Sequence, residues 1–192
     1  MSSSSRNAPD QDLAELIAQG REKIRAWRAG FRGRWLLVDV ATQRLFLLTD
    51  FRKAAEWPVS TSAAGLDNRQ DSGGTPPGLH LIHRKIGAGA EPGMVFVSRK
   101  PTGILWRQDT VPPSGIQKDD LILTRILALD GLEEGLNRGP GIDSRERYIY
   151  IHGTNHEQAI GSPESGGCVR MTSDHVVELF DQVQEGDPVV IL

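Results

Sequence analysis

Arg147-Tyr148-Ile149-Tyr150-Ile151-His152 is the stretch on which the reading of this chain turns. It interleaves aromatic and β-branched residues over the length of one strand, and it ends on an imidazole. The single cysteine follows in the run Ser165-Gly166-Gly167-Cys168-Val169-Arg170. A loop that returns through two glycines turns tightly enough to set a thiol beside the end of the preceding strand. A thiol with an imidazole beside it is the minimum equipment for nucleophilic catalysis. The backbone N–H groups of Gly167 and Cys168 are then available to face a developing oxyanion. The Gly153 carbonyl is available to hold the other ring nitrogen of His152 and fix its tautomer.

The same short period runs backward from that strand. Trp35–Val40 and Arg44–Leu48, joined by Ala41-Thr42-Gln43, predict a hairpin. Trp57–Thr61, Leu79–Arg84, Met94–Val97 and Gly103–Trp106 predict further strands. Leu121–Leu129 is ambiguous by period, but its β-branched content and the Asp130-Gly131 stop select a strand. Residues 62–78, 87–93 and 130–147 carry the turn signals. Beyond the cysteine, Asp174–Gln184 reads as a helix with Ser173 as its cap, and Pro188–Leu192 as a final strand. Leu13, Leu16, Ile17, Ile24 and Trp27 give residues 11–29 one apolar helical face, weakened in the middle by Gly20 and stopped by Gly30.

The prediction is therefore a mainly β domain over residues 31–192, sandwich-like or barrel-like, with one late helix. A helical arm over residues 11–30 packs on it, behind a Ser-rich disordered tail at residues 1–10.

Composition narrows the function without naming it. With 38% hydrophobic and 24% charged residues, the chain is globular, and a net charge of −3 gives no field for nucleic acid or a membrane surface. Arg21, Lys23, Arg25, Arg28, Arg32 and Arg34 cluster near the start and read as a solvated helix face. One cysteine excludes an intramolecular disulfide; by composition alone it reads as a small buried hydrophobe. No apolar run stands behind the N-terminus, so a cytoplasmic product is expected, or a periplasmic one if an export signal has been lost. No metal-spaced ligand cluster is present, and Gly73-Gly74 lacks the Lys-Ser/Thr ending of a phosphate loop.

Ile149-Tyr-Ile-His-Gly-Thr154, Gly161 and Ser165-Gly-Gly-Cys-Val-Arg-Met171 together resemble the active-site signature of YkuD-type L,D-transpeptidases. Val38–Leu48, Pro58–Thr61, Gly74–Gly78 and Gly186–Val190 resemble other parts of that domain, so the likeness covers residues 31–192. The resemblance implies Cys168 as nucleophile, His152 as general base and the Gly153 carbonyl as the group orienting the imidazole. It implies that Ser165, Gly167 and Arg170 shape the nucleophile loop and seat the donor peptide. Where the family commonly carries a second imidazole, this chain has Gly166.

The implied chemistry is attack on the bond between a diamino acid, usually meso-diaminopimelate, and D-Ala in a peptidoglycan tetrapeptide or muropeptide. A thioester forms and passes to an amine or to water. The leading expectation is a cytoplasmic L,D-carboxypeptidase of murein recycling, the runner-up an exported L,D-transpeptidase, and the third a catalytically silent peptidoglycan-binding module. No metal or organic cofactor is implied, and no segment specifies an oligomeric state.

The remaining polar residues carry weaker expectations. His80 and His83, three apart on one strand, point to opposite faces and read as surface or supporting residues. His156 reads as a polar loop residue near the cleft. Tyr148 and Tyr150 share a strand face as packing or as lining of the donor pocket. Arg125 reads either as an exposed strand charge or as a partner for a stem carboxylate, and Arg170 is better placed for the latter.

Overall fold

The computed structural model describes residues 8–107 and 120–192. Helix α1 (Ala8–Trp27) leads into the strands β1 (Arg34–Asp39), β2 (Arg44–Thr49) and β3 (Arg52–Pro58). Then come β4 (Gly78–Ile86), β5 (Met94–Val97), β6 (Lys100–Leu105) and the long β7 (Ile122–Gly131). The C-terminal third holds β8 (Tyr150–Gly153), β9 (Val169–Met171), α2 (Ser173–Gln182) and β10 (Pro188–Ile191). The protein is mainly β, with one N-terminal and one late helix, as the sequence pattern predicts. The helix begins at Ala8, so part of the expected tail is helical, while residues 1–7 lie outside the described residues.

All ten strands join one sheet in the order β3-β2-β1-β10-β4-β7-β5-β6, with β8 on β7 and β9 on β8. Strands β1 and β10 pair in parallel, as do β8 and β9; the other ladders are antiparallel. Strand β7 first lies against β5 at Ile122 and Leu123, then against β4 from Ile126 onward. It changes partners through Thr124, whose φ of 68° is unusual for a β-branched residue.

Strand β1 shows why its run is apolar without a break. Leu36 and Val38 face a core shared with Ile151, Val169 and Met171 and with Val176, Leu179 and Phe180 of α2. Trp35 and Leu37 face the other way, toward Ile24 of α1, Phe46, Leu48 and Val190. Strands near both ends of the sheet thus share one core, so the continuous sheet closes on itself as a sandwich does.

Gly20 takes on a different meaning here. A Cβ at this position would lie 2.7 Å from the Trp35 ring, so the helix lies flat on the indole only because position 20 has no side chain. The arm is joined to the domain through that contact and through the Lys23–Glu133 ion pair at 3.0 Å.

Three local expectations are corrected. The strand predicted at 57–61 ends at Pro58, and Ser60 beyond it makes an isolated bridge to Arg170. Thr172, not Ser173, caps α2 by accepting from the His175 N–H. Arg125 is buried and donates to the carbonyls of Ala90 and Thr124, both at 2.7 Å, so it is neither exposed nor free for a substrate. The two histidines do point to opposite faces: His80 is fully buried between the Gly78 carbonyl and the Ser144 hydroxyl, while His83 is exposed.

Burial pushes the His80 pKa down from 6.5 to about 4. The unfolded chain takes up this proton first as pH falls. The stability tied to neutral His80 is therefore complete above pH 6.5 and is lost as pH drops toward 4. Urea unfolding at neutral pH and at about pH 4.5 is expected to show a loss of about 2–3 kcal/mol from this group. That part of the loss is expected to disappear in His80→Gln. An identical pH slope in both proteins would contradict the assignment.

Candidate active site

Strand β8 places Tyr150 and His152 on one face, since Ile151 between them points into the main core. Strand β9 alternates in the same way, with Val169 and Met171 in the core and Arg170 opposite. The parallel register sets Ile151 beside Val169 and His152 beside Arg170. Cys168, one residue ahead of β9, therefore comes beside Tyr150, diagonal to His152. Cys168 packs on the cluster of Phe96, Ile126, Ala128 and Tyr150.

The imidazole is oriented by its own strand end. Nδ1 of His152 lies 2.8 Å from the Gly153 carbonyl, which makes Nδ1 the protonated nitrogen and leaves Nε2 with the lone pair. His152 is only 2% exposed, and burial lowers its pKa from the ordinary imidazole value. The thiol has its own partners: the Tyr150 N–H donates to Sγ at 3.4 Å, and Sγ donates to the Tyr148 carbonyl at 3.5 Å. Burial pushes the Cys168 thiol up to about 11, partly offset by the Tyr150 N–H. At neutral pH the resting pair is thus an uncharged thiol and an uncharged imidazole.

The loop carrying the thiol is fixed from three sides. The Ser165 hydroxyl donates to the Cys168 carbonyl at 2.5 Å and accepts from the Gly167 N–H at 3.2 Å. The Gly167 N–H is therefore engaged, which corrects its expected part in an oxyanion site. The Cys168 N–H finds no acceptor among the described residues. Thr75 donates its hydroxyl to the Gly167 carbonyl at 3.0 Å, and Ser60 exchanges backbone bonds of 2.8 and 2.9 Å with Arg170. Gly167 has a φ of 129°, where a side chain is strained, and an added Cβ would sit tightly, 3.2 Å from the Gly74 carbonyl oxygen. Gly166 differs: an added Cβ there meets no atom within 4 Å.

Arg170 is 6% exposed and holds Asp120 at 2.5 Å and the Glu164 carbonyl at 3.2 Å. Asp120 carries no motif signal, and only the tertiary structure brings it beside β9. Arg147, also unmarked by any motif, donates to the carbonyls of Asp67 (3.1 Å) and Gly74 (2.6 Å) and so ties the 67–75 loop beside the nucleophile loop. Tyr148 does not share the face of Tyr150. Its φ of 56° takes it out of the strand, and it is 56% exposed while Tyr150 is buried. His156 lies in the loop after β8, half-buried, with its N–H on the Thr154 hydroxyl. No group of three or more metal-ligating side chains occurs among the described residues.

The fold and its motif-bearing strands define the class: residues 33–191 match the family model described as the L,D-transpeptidase catalytic domain. The chain belongs to that family, YkuD. YqjB of Bacillus subtilis strain 168, whose name assigns it provisionally as an L,D-transpeptidase, is 48% identical over 52 residues. That match takes in 27% of this chain and 28% of YqjB. L,D-transpeptidase 3 of Mycobacterium tuberculosis, solved with a faropenem-derived adduct, superposes with a TM-score of 0.50 at 14% identity. The alignment covers 83% of this chain and 60% of that one. LdtMt1, solved in complex with imipenem, gives a TM-score of 0.50 at 17% identity, over 84% of this chain and 59% of that one. The chain thus spans less than two thirds of each of these relatives, and at these identities the solved structures show the fold.

Proposed function

We propose that this chain is a cysteine acyl-enzyme catalyst that cleaves the diaminopimelate–D-Ala bond of peptidoglycan tetrapeptide stems, with water as its main acceptor. One observation carries the reading: Cys168 and His152 lie diagonally on one face, with Nδ1 of His152 tied to the Gly153 carbonyl. Nε2 of His152 takes the thiol proton as Sγ attacks the carbonyl carbon, and the Cys168 N–H receives the oxyanion. The imidazolium then gives its proton to the departing amine of D-Ala as the C–N bond breaks. Water attacks the thioester, passes a proton to Nε2, and the thiol is restored as the tripeptide leaves.

The preference for water rests on Gly166. The space beside the thiol is open where the family commonly sets an imidazole, so nothing there positions a bulky amine. A soluble tetrapeptide is expected to give mainly tripeptide by mass spectrometry; crosslinked dimer as the main product would overturn this. Gly166→His fits the open space and is expected to raise the dimer-to-tripeptide ratio about fivefold. Stability should shift by less than about 0.5 kcal/mol.

The second reading is an L,D-transpeptidase proper, favoured by the names of the matched relatives. A dominant dimer in the same digest would establish it. A silent binding module predicts no covalent adduct with imipenem, so an adduct on Cys168 that is lost in His152→Ala would remove that reading. A cytoplasmic place of action belongs to the leading proposal, and fractionation of cells against their envelope tests it.

A further inference from the structure

The hairpin of β5 and β6 turns at Ser98 and Arg99, both left-handed with φ of 48° and 67°. That turn brings the Arg99 guanidinium to 5.2 Å from the centre of the Tyr148 ring. Tyr148 is itself held in a left-handed conformation, and its carbonyl touches the sulfur of Cys168. An exposed aromatic at positive φ beside a nucleophile is an arrangement maintained by its surroundings against local strain. The pair borders a cavity of about 410 Å³ that is also lined by the acidic residues Asp130, Asp143 and Glu146 and by Arg138 and Arg145. Those two arginines are bound to Glu134 and Asp130. Arg99 has no carboxylate partner among the described residues. Its charge also reaches the Tyr150 phenol on the thiol face, where it partly offsets the rise caused by burial.

Strand order gives this site a direction. Along the chain, Tyr148 lies behind the thiol and His152 ahead of it, with Tyr150 beside it. The leaving amine must meet His152, so the acyl half of the donor extends toward Tyr148. We infer that Arg99, presented over Tyr148, binds a carboxylate on the acyl half of the donor peptide and sets the preference for stems whose diamino acid keeps a free side-chain carboxylate. This inference rests on the proposed function. A guanidinium over an aromatic ring keeps its planar fork of N–H groups, and one carboxylate can accept two of them at once.

The test compares two tetrapeptides, one with a free carboxylate on the diamino acid side chain and one with that group amidated. Wild-type protein is expected to favour the free acid by about tenfold in KM, with kcat nearly equal. Arg99→Gln is expected to erase that preference by raising KM for the acid alone, and Arg99→Lys to restore part of it. Alkylation of Cys168 by neutral iodoacetamide should proceed at the wild-type rate in both variants, which shows the nucleophile intact. An undiminished preference in Arg99→Gln overturns the inference, and so does an equal loss on both peptides. Wild-type protein inert toward both peptides overturns the proposed function and this inference with it. Wild-type protein active on both without discrimination overturns this inference alone.

Discussion

Cys168→Ala is expected to abolish acyl transfer, lowering kcat by a factor of at least about 10³. The chain has one cysteine, so no second thiol takes over. His152→Ala is expected to fall nearly as far, because the thiol is pushed up to about 11 and cannot ionise unaided near neutral pH. The pH profile follows from the same environments. Burial lowers the His152 pKa, so the base stays unprotonated until pH falls below the ordinary 6.5. The acid limb of kcat/KM should therefore lie below that value. Alkylation of the thiol without substrate should keep rising with pH toward 11, with no plateau at neutrality. A neutral plateau would show a resting thiolate–imidazolium pair and would overturn the uncharged ground state. Activity persisting in Cys168→Ala would overturn the mechanism itself.

Trp35→Ala carries the largest expected loss of stability. The indole is fully buried between β1 and the bare backbone of α1 at Gly20. Its removal opens a cavity under a helix that has no side chain there to collapse into it, at a cost of about 3–5 kcal/mol. Trp35→Phe is a sharper comparison. The indole Nε1 is buried with no partner among the described residues, so exchanging it for a hydrocarbon ring also removes an unsatisfied donor. Chemical denaturation should place Trp35→Phe within about 1.5 kcal/mol of wild type. Equal losses for the two variants would mean that the ring does not hold the arm.

Most strands were legible because a short apolar run meets a core on at least one face; β3, Arg52–Pro58, is mostly polar and exposed, and only its last two residues fell in a predicted strand. The Cys–His pair was suggested by a strand end and a Gly-rich return at a spacing that one parallel ladder can close, and the motif resemblance supplied the specificity. What escaped the sequence is tertiary. Arg125 looks like a surface charge until β7 changes partners at Thr124 and turns it inward. Tyr148 fits a strand pattern, but its φ of 56° breaks the alternation where its carbonyl meets the thiol. Asp120 reaches the site from a segment with no local signature, and Arg147, at the head of the stretch that ends on His152, gives no sign in one dimension of its reach to the 67–75 loop. Gly20 reads as a helix defect in one dimension and as the seat of Trp35 in three.

The position of β10 between β1 and β4 has a consequence for how the molecule is made. A ribosome delivers β1 and β4 long before residues 188–191, and in the finished sheet these two strands are joined only through β10. A growing chain that has already released Cys168 and His152 still has its sheet in two unjoined parts. Contacts between residues so far apart in sequence form slowly. The reactive pair therefore gains its rigid support only after the thiol itself has been synthesised. Until then, the open edges of β1 and β4 are where a nascent chain is most exposed to pairing with the wrong strand.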